Sequence, residues 1–192
     1  TSLVLGTSSG IHAWHNDFYI RRLRVGKNEP IYKYLKANNP DLVADEYFRP
    51  HDTAVIEIPQ SAPKGSIMRT ESAFDLLKRV KQVATEWVKP GHRKGSNTHN
   101  VSATISLKAD EWDKAGKWMW DNRECYNGLS VLPYDGGSYT QAPFEDITEE
   151  EFNKRVKLLN DVDLSMIVET TDETDLSGEL ACAGGVCEIT SL

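Results

Sequence analysis

Of the 192 residues only three are cysteine, eight are proline and three are methionine. No apolar run approaches the ~20 residues needed to cross a bilayer, and the first residues lack the basic-then-apolar pattern of a secretory leader. Both patterns point away from a membrane. Lysine and arginine are outnumbered, 22 against 29 acidic residues, for a net charge of −7. That balance argues against a broad footprint on a nucleic acid polymer. There is no GxGxxG, P-loop, GxSxG or HExxH, so no self-contained active site is visible. Three cysteines, with Cys125 alone, do not make a secreted disulfide framework; a reducing cytoplasm with one catalytic pair fits them better.

What is present reads as globular. Hydrophobic residues make 39% and charged residues 27% of the chain, and the length suffices for one compact domain with a proper core. Ser2–Leu5 is a short apolar strand ended by Gly6, and Phe18–Val25 is an element whose type its pattern leaves open. Pro30 opens a helix and Pro40 closes it. Thr53–Ile58 is a strand ended by Pro59. Thr70 or Ser72 caps a helix with Ala73, Leu76, Leu77, Val80, Val83, Ala84 and Trp87 on one stripe, and Pro90-Gly91 stops it. Val101–Leu107 alternates as a strand, Ala109–Arg123 forms a helix, and Leu129–Leu132 is a further strand. A long loop runs from Gly136 through Phe144, and Thr148 caps a helix over Glu149–Asn160. Strand, helix, strand, helix, strand is βαβ order, so an α/β fold with parallel strands and outer helices is expected.

The C-terminus is different in kind. Cys182 and Cys187 bracket Ala183-Gly184-Gly185-Val186, and glycine lets the backbone turn back at no steric cost. Such thiols can close a small ring and reopen it, which is what a redox relay requires. Before them, Glu169, Asp172, Glu173, Asp175 and Glu179 lie among Thr, Ser and Gly, the composition of an unstructured tether. About 13 residues of such chain span roughly 20 Å on average and at most about 45 Å. A metal-binding pair and an incidental exposed disulfide are the alternatives. A structural zinc needs four ligands, and no second CxxC or nearby histidine supplies the others.

Other candidates are weaker. Thr1-Ser2 and Thr7-Ser8-Ser9-Gly10 could offer hydroxyl and N–H donors to a phosphate, or could be ordinary turns. His12 and His15 lack a third ligand at metal spacing. Trp87, Trp112 and Trp118 fall at core-like helical positions, and Cys125 reads as structural.

Together these blocks resemble the C-terminal part of a ribonucleotide reductase. The resemblance rests on Ser2–His12, Phe18–Val25, Asn100–Ile105, Gly128–Tyr134 and Tyr139–Ile147, in that order, and on the final cysteine pair. It covers essentially the whole chain. Within the family it is greatest to the monomeric, adenosylcobalamin-dependent class. The strand Leu129-Ser130-Val131-Leu132 lacks the adjacent tyrosine pair that carries a radical in from a second subunit.

The resemblance implies a fold, the closing part of a ten-stranded α/β barrel over residues 1–168, followed by a disordered tail over 169–192. It implies a reaction, reduction of ribonucleotides by thiyl-radical chemistry with adenosylcobalamin bound by the complete enzyme. It implies roles: Thr1 and Ser2 as the end of the substrate-phosphate loop, Cys182 and Cys187 as the dithiol that passes electrons from thioredoxin or a similar reductant. The radical cysteine and its reducing partners belong upstream, so residues 1–192 alone are expected to be inactive. The start at Thr1 fits an intein or split-gene boundary inside the phosphate loop, or a simple truncation. The large chain of a two-subunit reductase and a stand-alone thiol-disulfide adaptor are the rival readings.

Overall fold

A computed structural model describes residues 5–134 and 139–168. In chain order the elements are β1 (Phe18–Gly26), α1 (Pro30–Asn38), β2 (Val43–Asp45), β3 (Thr53–Ser61), α2 (Ala73–Val83), β4 (Thr104–Leu107), α3 (Trp112–Asp121), β5 (Ser130–Pro133), β6 (Phe144–Asp146) and α4 (Glu149–Leu159). They form two compact units. One takes the described residues of Thr1–Trp14 and Pro63–Gly137, the other those of His15–Ala62 and Ser138–Leu192.

The first unit carries the expected βαβ element. β4 and β5 pair in parallel, from Thr104 opposite Ser130 to Leu107 opposite Pro133, with α3 as the crossover. The alternation read from sequence appears as burial of Val101, Ala103, Ile105 and Leu107, although only the last four residues of that stretch are strand. α2 packs on them through Ala73, Leu76, Leu77 and Val80, and Ala115 of α3 completes the cluster. Ser72, not Thr70, is the cap: its hydroxyl accepts from the Asp75 N–H at 3.2 Å.

One position of the α2 stripe fails. Trp87 is 79% exposed. After Val83 the helix widens into a π-turn over Ala84–Val88. It ends beside Pro90, which lacks an N–H and whose ring crowds the carbonyl four residues back. The wider turn needs an extra residue to return to the same face. The core position after Ala84 therefore falls on Val88, which packs against the cluster. Trp112, in the first turn of α3, is likewise exposed, whereas Trp118 is partly buried on the core as expected.

The second unit departs from the βαβ expectation. Its sheet, ordered β2-β3-β1-β6, is antiparallel throughout. β1 and β3 pair along their whole length, from Phe18 opposite Ser61 to Gly26 opposite Thr53. Alternation in sequence reports a strand but carries no sign of its partner's direction. Pro59 does not end β3. β2 pairs only with Ala54–Ile56, so beyond that point β3 has a single neighbour and a residue without an N–H is tolerated. β2 and β6 are three residues each, too short to show a period; β6 occupies the end of what reads as a loop. The Thr148 cap holds, its hydroxyl accepting from the Glu151 N–H at 3.2 Å. Leu5, the first residue described, is helical where the sequence suggested a strand.

Two substitutions separate the core from the displaced stripe position. Leu77→Ala, at a fully buried site, should cost about 2–5 kcal/mol. Trp87→Ala should cost less than about 0.5 kcal/mol. Urea denaturation followed by circular dichroism measures both, and equal losses would place Trp87 in the core after all.

Candidate functional site

Thr1, Ser2, Cys182 and Cys187, the site residues named from sequence, lie outside the described residues. What the structure describes is the chain that leads to each end.

At the N-terminal side, residues 7–14 are held from several directions. Gly10 takes φ 58°, in the left-handed region, and the Ser8 hydroxyl donates to its carbonyl at 3.0 Å. The His12 ring has Nδ1 2.8 Å from the Ser9 carbonyl, while Nε2 accepts from the Thr104 N–H at 3.1 Å. Both ring nitrogens are thus engaged by backbone groups. Arg79 of α2 donates to the Ile11 carbonyl at 2.9 Å and grips Glu71 with two bonds of 3.1 and 2.6 Å. The Glu71 bond is the main reason the Arg79 pKa is raised. Trp14 bridges to Met68, with its N–H on the Ile67 carbonyl at 2.8 Å and its carbonyl accepting from Arg69 at 2.9 Å. Helix α2 and strand β4 thus fix the backbone that runs back toward Thr1 and Ser2.

At the C-terminal side, α4 docks on the β1–β3 surface. Phe152 meets Phe18 with centroids 5.1 Å apart. Arg155 donates to Glu57 at 2.9 Å and to Glu151 at 2.6 Å. Glu57 also accepts from Arg22 at 2.8 Å, and Arg22 reaches Glu145 at 2.6 Å. The last described turn, Leu164–Met166, is pinned by Asp163: its N–H donates to the Tyr34 hydroxyl at 2.9 Å, and its carboxylate accepts from the Ser165 hydroxyl and N–H. Those Ser165 bonds lower the Asp163 pKa. His15 sits apart from His12 in its contacts, 3.1 Å from the Asp146 carboxylate and stacked on Phe144.

Sequence reading did not find these clamps. Arg21, Arg22 and Arg24 were visible as charges within an apolar segment, and such residues need partners. The partners of Arg22, Glu57 and Glu145, lie 35 and 123 positions away, beyond any local spacing rule. It also missed a cavity of about 200 Å³ in the first unit, lined among others by Lys89, His99, Arg123, Cys125 and Tyr126. Cys125 there is a free thiol, half-buried. Burial raises the Tyr126 pKa, and its hydroxyl donates to the Met119 carbonyl at 2.9 Å. The cavity is smaller than the roughly 300–1,000 Å³ pockets of drug-sized ligands, so it does not fit a corrin. Among the described residues no group of three metal ligands converges and no helix is long and apolar enough to cross a membrane.

No family model matches the chain. It is 28% identical over 189 residues to the adenosylcobalamin-dependent ribonucleoside-triphosphate reductase of Lactobacillus acidophilus, a match covering 97% of this chain and 25% of that protein. The chain resembles a segment of an adenosylcobalamin-dependent ribonucleotide reductase. The reductase of that name from Euglena gracilis is 30% identical over 185 residues, covering 90% of this chain and 23% of the other. A crystal structure of a B-12 dependent (class II) ribonucleotide reductase superposes with a TM-score of 0.67 at 24% identity, over 86% of this chain and 22% of that one. At that identity the likeness speaks for the fold alone. The chain spans about a quarter of the length of the curated relatives it matches.

Arg79→Met removes the clamp on Ile11 and leaves Glu71 without its cation. A loss of about 1–3 kcal/mol is expected, the cost of stranding half-buried polar groups. Hydrogen exchange at the Trp14 and Thr104 amides should quicken more than at Leu23 or Val55 in the β1–β3 pair. Unchanged exchange at Trp14 and Thr104 would show that Arg79 does not hold this path.

Proposed function

We propose that this chain is the C-terminal segment of an adenosylcobalamin-dependent ribonucleotide reductase, an oxidoreductase that makes 2′-deoxyribonucleotides in the cytoplasm. The observation that carries the reading is similarity along 97% of the chain to one reductase class. In this reading β4–α3–β5 belongs to the closing part of the ten-stranded α/β barrel, within a domain portion running to residue 168. Residues 169–192 are the segment that carries the Cys182/Cys187 pair. Thr1 and Ser2 finish the loop that receives the substrate phosphate; farther along the chain, Arg79 holds Ile11 and β4 holds His12.

The tail does the electron transfer. A thiolate of the Cys182/Cys187 pair attacks the disulfide left in the active site after each reduction. The second tail thiol then displaces the mixed disulfide, so the active-site thiols are restored and the tail becomes the disulfide. Thioredoxin or a similar reductant resets the tail outside the barrel. Access drives the exchange. In the complete enzyme, bound adenosylcobalamin would supply the radical without a partner subunit. The absence of an adjacent tyrosine pair on β5, Ser130–Pro133, favours this class over the two-subunit one.

In the complete enzyme, Cys182→Ser or Cys187→Ser should stop thioredoxin-driven reduction after about one turnover, because the product disulfide cannot be reached. Much of the dithiothreitol-driven rate should remain, since a small dithiol enters the site directly. Cys125→Ser should alter neither. Normal thioredoxin cycling in both tail variants would contradict the shuttle.

A further inference from the structure

In the second unit the turn after β2 displays Tyr47 and Phe48, 63% and 73% exposed, with their rings edge to face at 5.1 Å. The scaffold beneath them is unusually complete. Glu46, only 5% exposed, accepts the N–H groups of Phe48 and Arg49, both at 2.7 Å, and its other oxygen faces Arg24 at 3.4 Å. Gln141 spans the same residue from outside: its amide accepts from the Tyr47 N–H at 2.8 Å and donates to the Asp45 carbonyl at 2.7 Å. To do so Gln141 takes φ 55°, a left-handed conformation uncommon for a residue other than glycine. Lys27 ties Asp45 to the Pro50 carbonyl, and Arg49 is paired with Asp52.

A buried charge and a strained glutamine are costly devices for a turn that only meets water. Their effect is to hold two aromatic rings in a fixed, protruding pose, the form that anchor residues take at interfaces. The turn's own charges, Lys27 with Asp45 and Arg49 with Asp52, are satisfied within it. The exposed surface on offer is therefore apolar, which suits a hydrophobic pocket and not a phosphate or a nucleic acid.

We propose that Tyr47 and Phe48 are the anchor by which this segment docks into an apolar pocket on the remaining three-quarters of the reductase polypeptide. The inference rests on the reading above as a reductase segment. The occupant is indicated by length: the matched reductases are about four times as long as this chain, so most of the surface that such a segment packs against is absent from it. A second copy of the chain and an external reductant are the other occupants.

Hydroxyl-radical footprinting of the complete reductase, without added reductant and across a dilution series, tests this. Buried Tyr19 of β1 serves as the internal reference. Tyr47 and Phe48 should oxidise as slowly as Tyr19 at every dilution. Phe48→Ser should lower the melting temperature of the complete enzyme, although the side chain it truncates is exposed within the segment. Fast oxidation of both rings in a preparation that reduces ribonucleotides would overturn the docking site and leave the functional reading standing. Protection that is lost on dilution, or that appears only with thioredoxin, would assign the anchor to another occupant and overturn it equally. A preparation that reduces no ribonucleotide would remove the functional reading, and this inference with it.

Discussion

The Glu57 carboxylate lies between two guanidinium groups, Arg22 at 2.8 Å and Arg155 at 2.9 Å, and each of those reaches a further carboxylate, Glu145 or Glu151. Glu57 joins β3 to β1 and the sheet to α4, and Arg22 carries the network on from β1 to β6. Its surroundings are mostly shielded from water, which strengthens the attraction but raises the cost of leaving any member alone. Removing one partner of a fully buried pair costs about 3–5 kcal/mol, and Glu57 has two cations depending on it. α4 is the last helix before residue 169, so the position from which the proposed tail departs is set by this network together with the Phe18–Phe152 contact.

The other end of the chain is governed by a different economy of bonds. The backbone from Ser8 to Trp14 forms one isolated bridge and no extended ladder, so its polar groups must be met singly. Arg79, His12, Ile67 and Arg69 do so from α2, β4 and the preceding loop. His12 in particular has both ring nitrogens engaged by backbone groups, which explains a histidine in this segment without a metal or a catalytic role. A hydroxyl-rich loop can hold an anion in a fixed pose only if the chain next to it is rigid. These bonds hold residues 8–14, in the described chain that follows the proposed phosphate-loop residues Thr1 and Ser2.

Much of the first unit was legible in the sequence. The period-2 burial from Val101 to Leu107, the Ser72 cap and the βαβ order of residues 104–133, and in the second unit the Thr148 cap, all follow from local rules, because the residues that decide them are close together. The failures have long-range or collective causes. Trp87 left the core because a π-turn beside Pro90 shifted the helix phase by one residue. The antiparallel sheet was missed because β1 finds its main partner some 30 to 40 residues later, and because β2 and β6 are too short to carry a pattern. The ion network and the Glu46–Gln141 scaffold join residues up to 123 positions apart, as Arg22 and Glu145 are, and no spacing rule connects them. The family resemblance was legible because ordered short blocks survive where no single motif does.

The central claim is that this segment serves an enzyme whose radical is made with adenosylcobalamin and without a second subunit. Ribonucleotide reduction by the complete protein, assayed with and without adenosylcobalamin and with and without a separate tyrosyl-radical protein, tests it most directly. The account predicts turnover that requires adenosylcobalamin and is indifferent to the second protein. Turnover that requires the tyrosyl-radical protein and ignores adenosylcobalamin would contradict it.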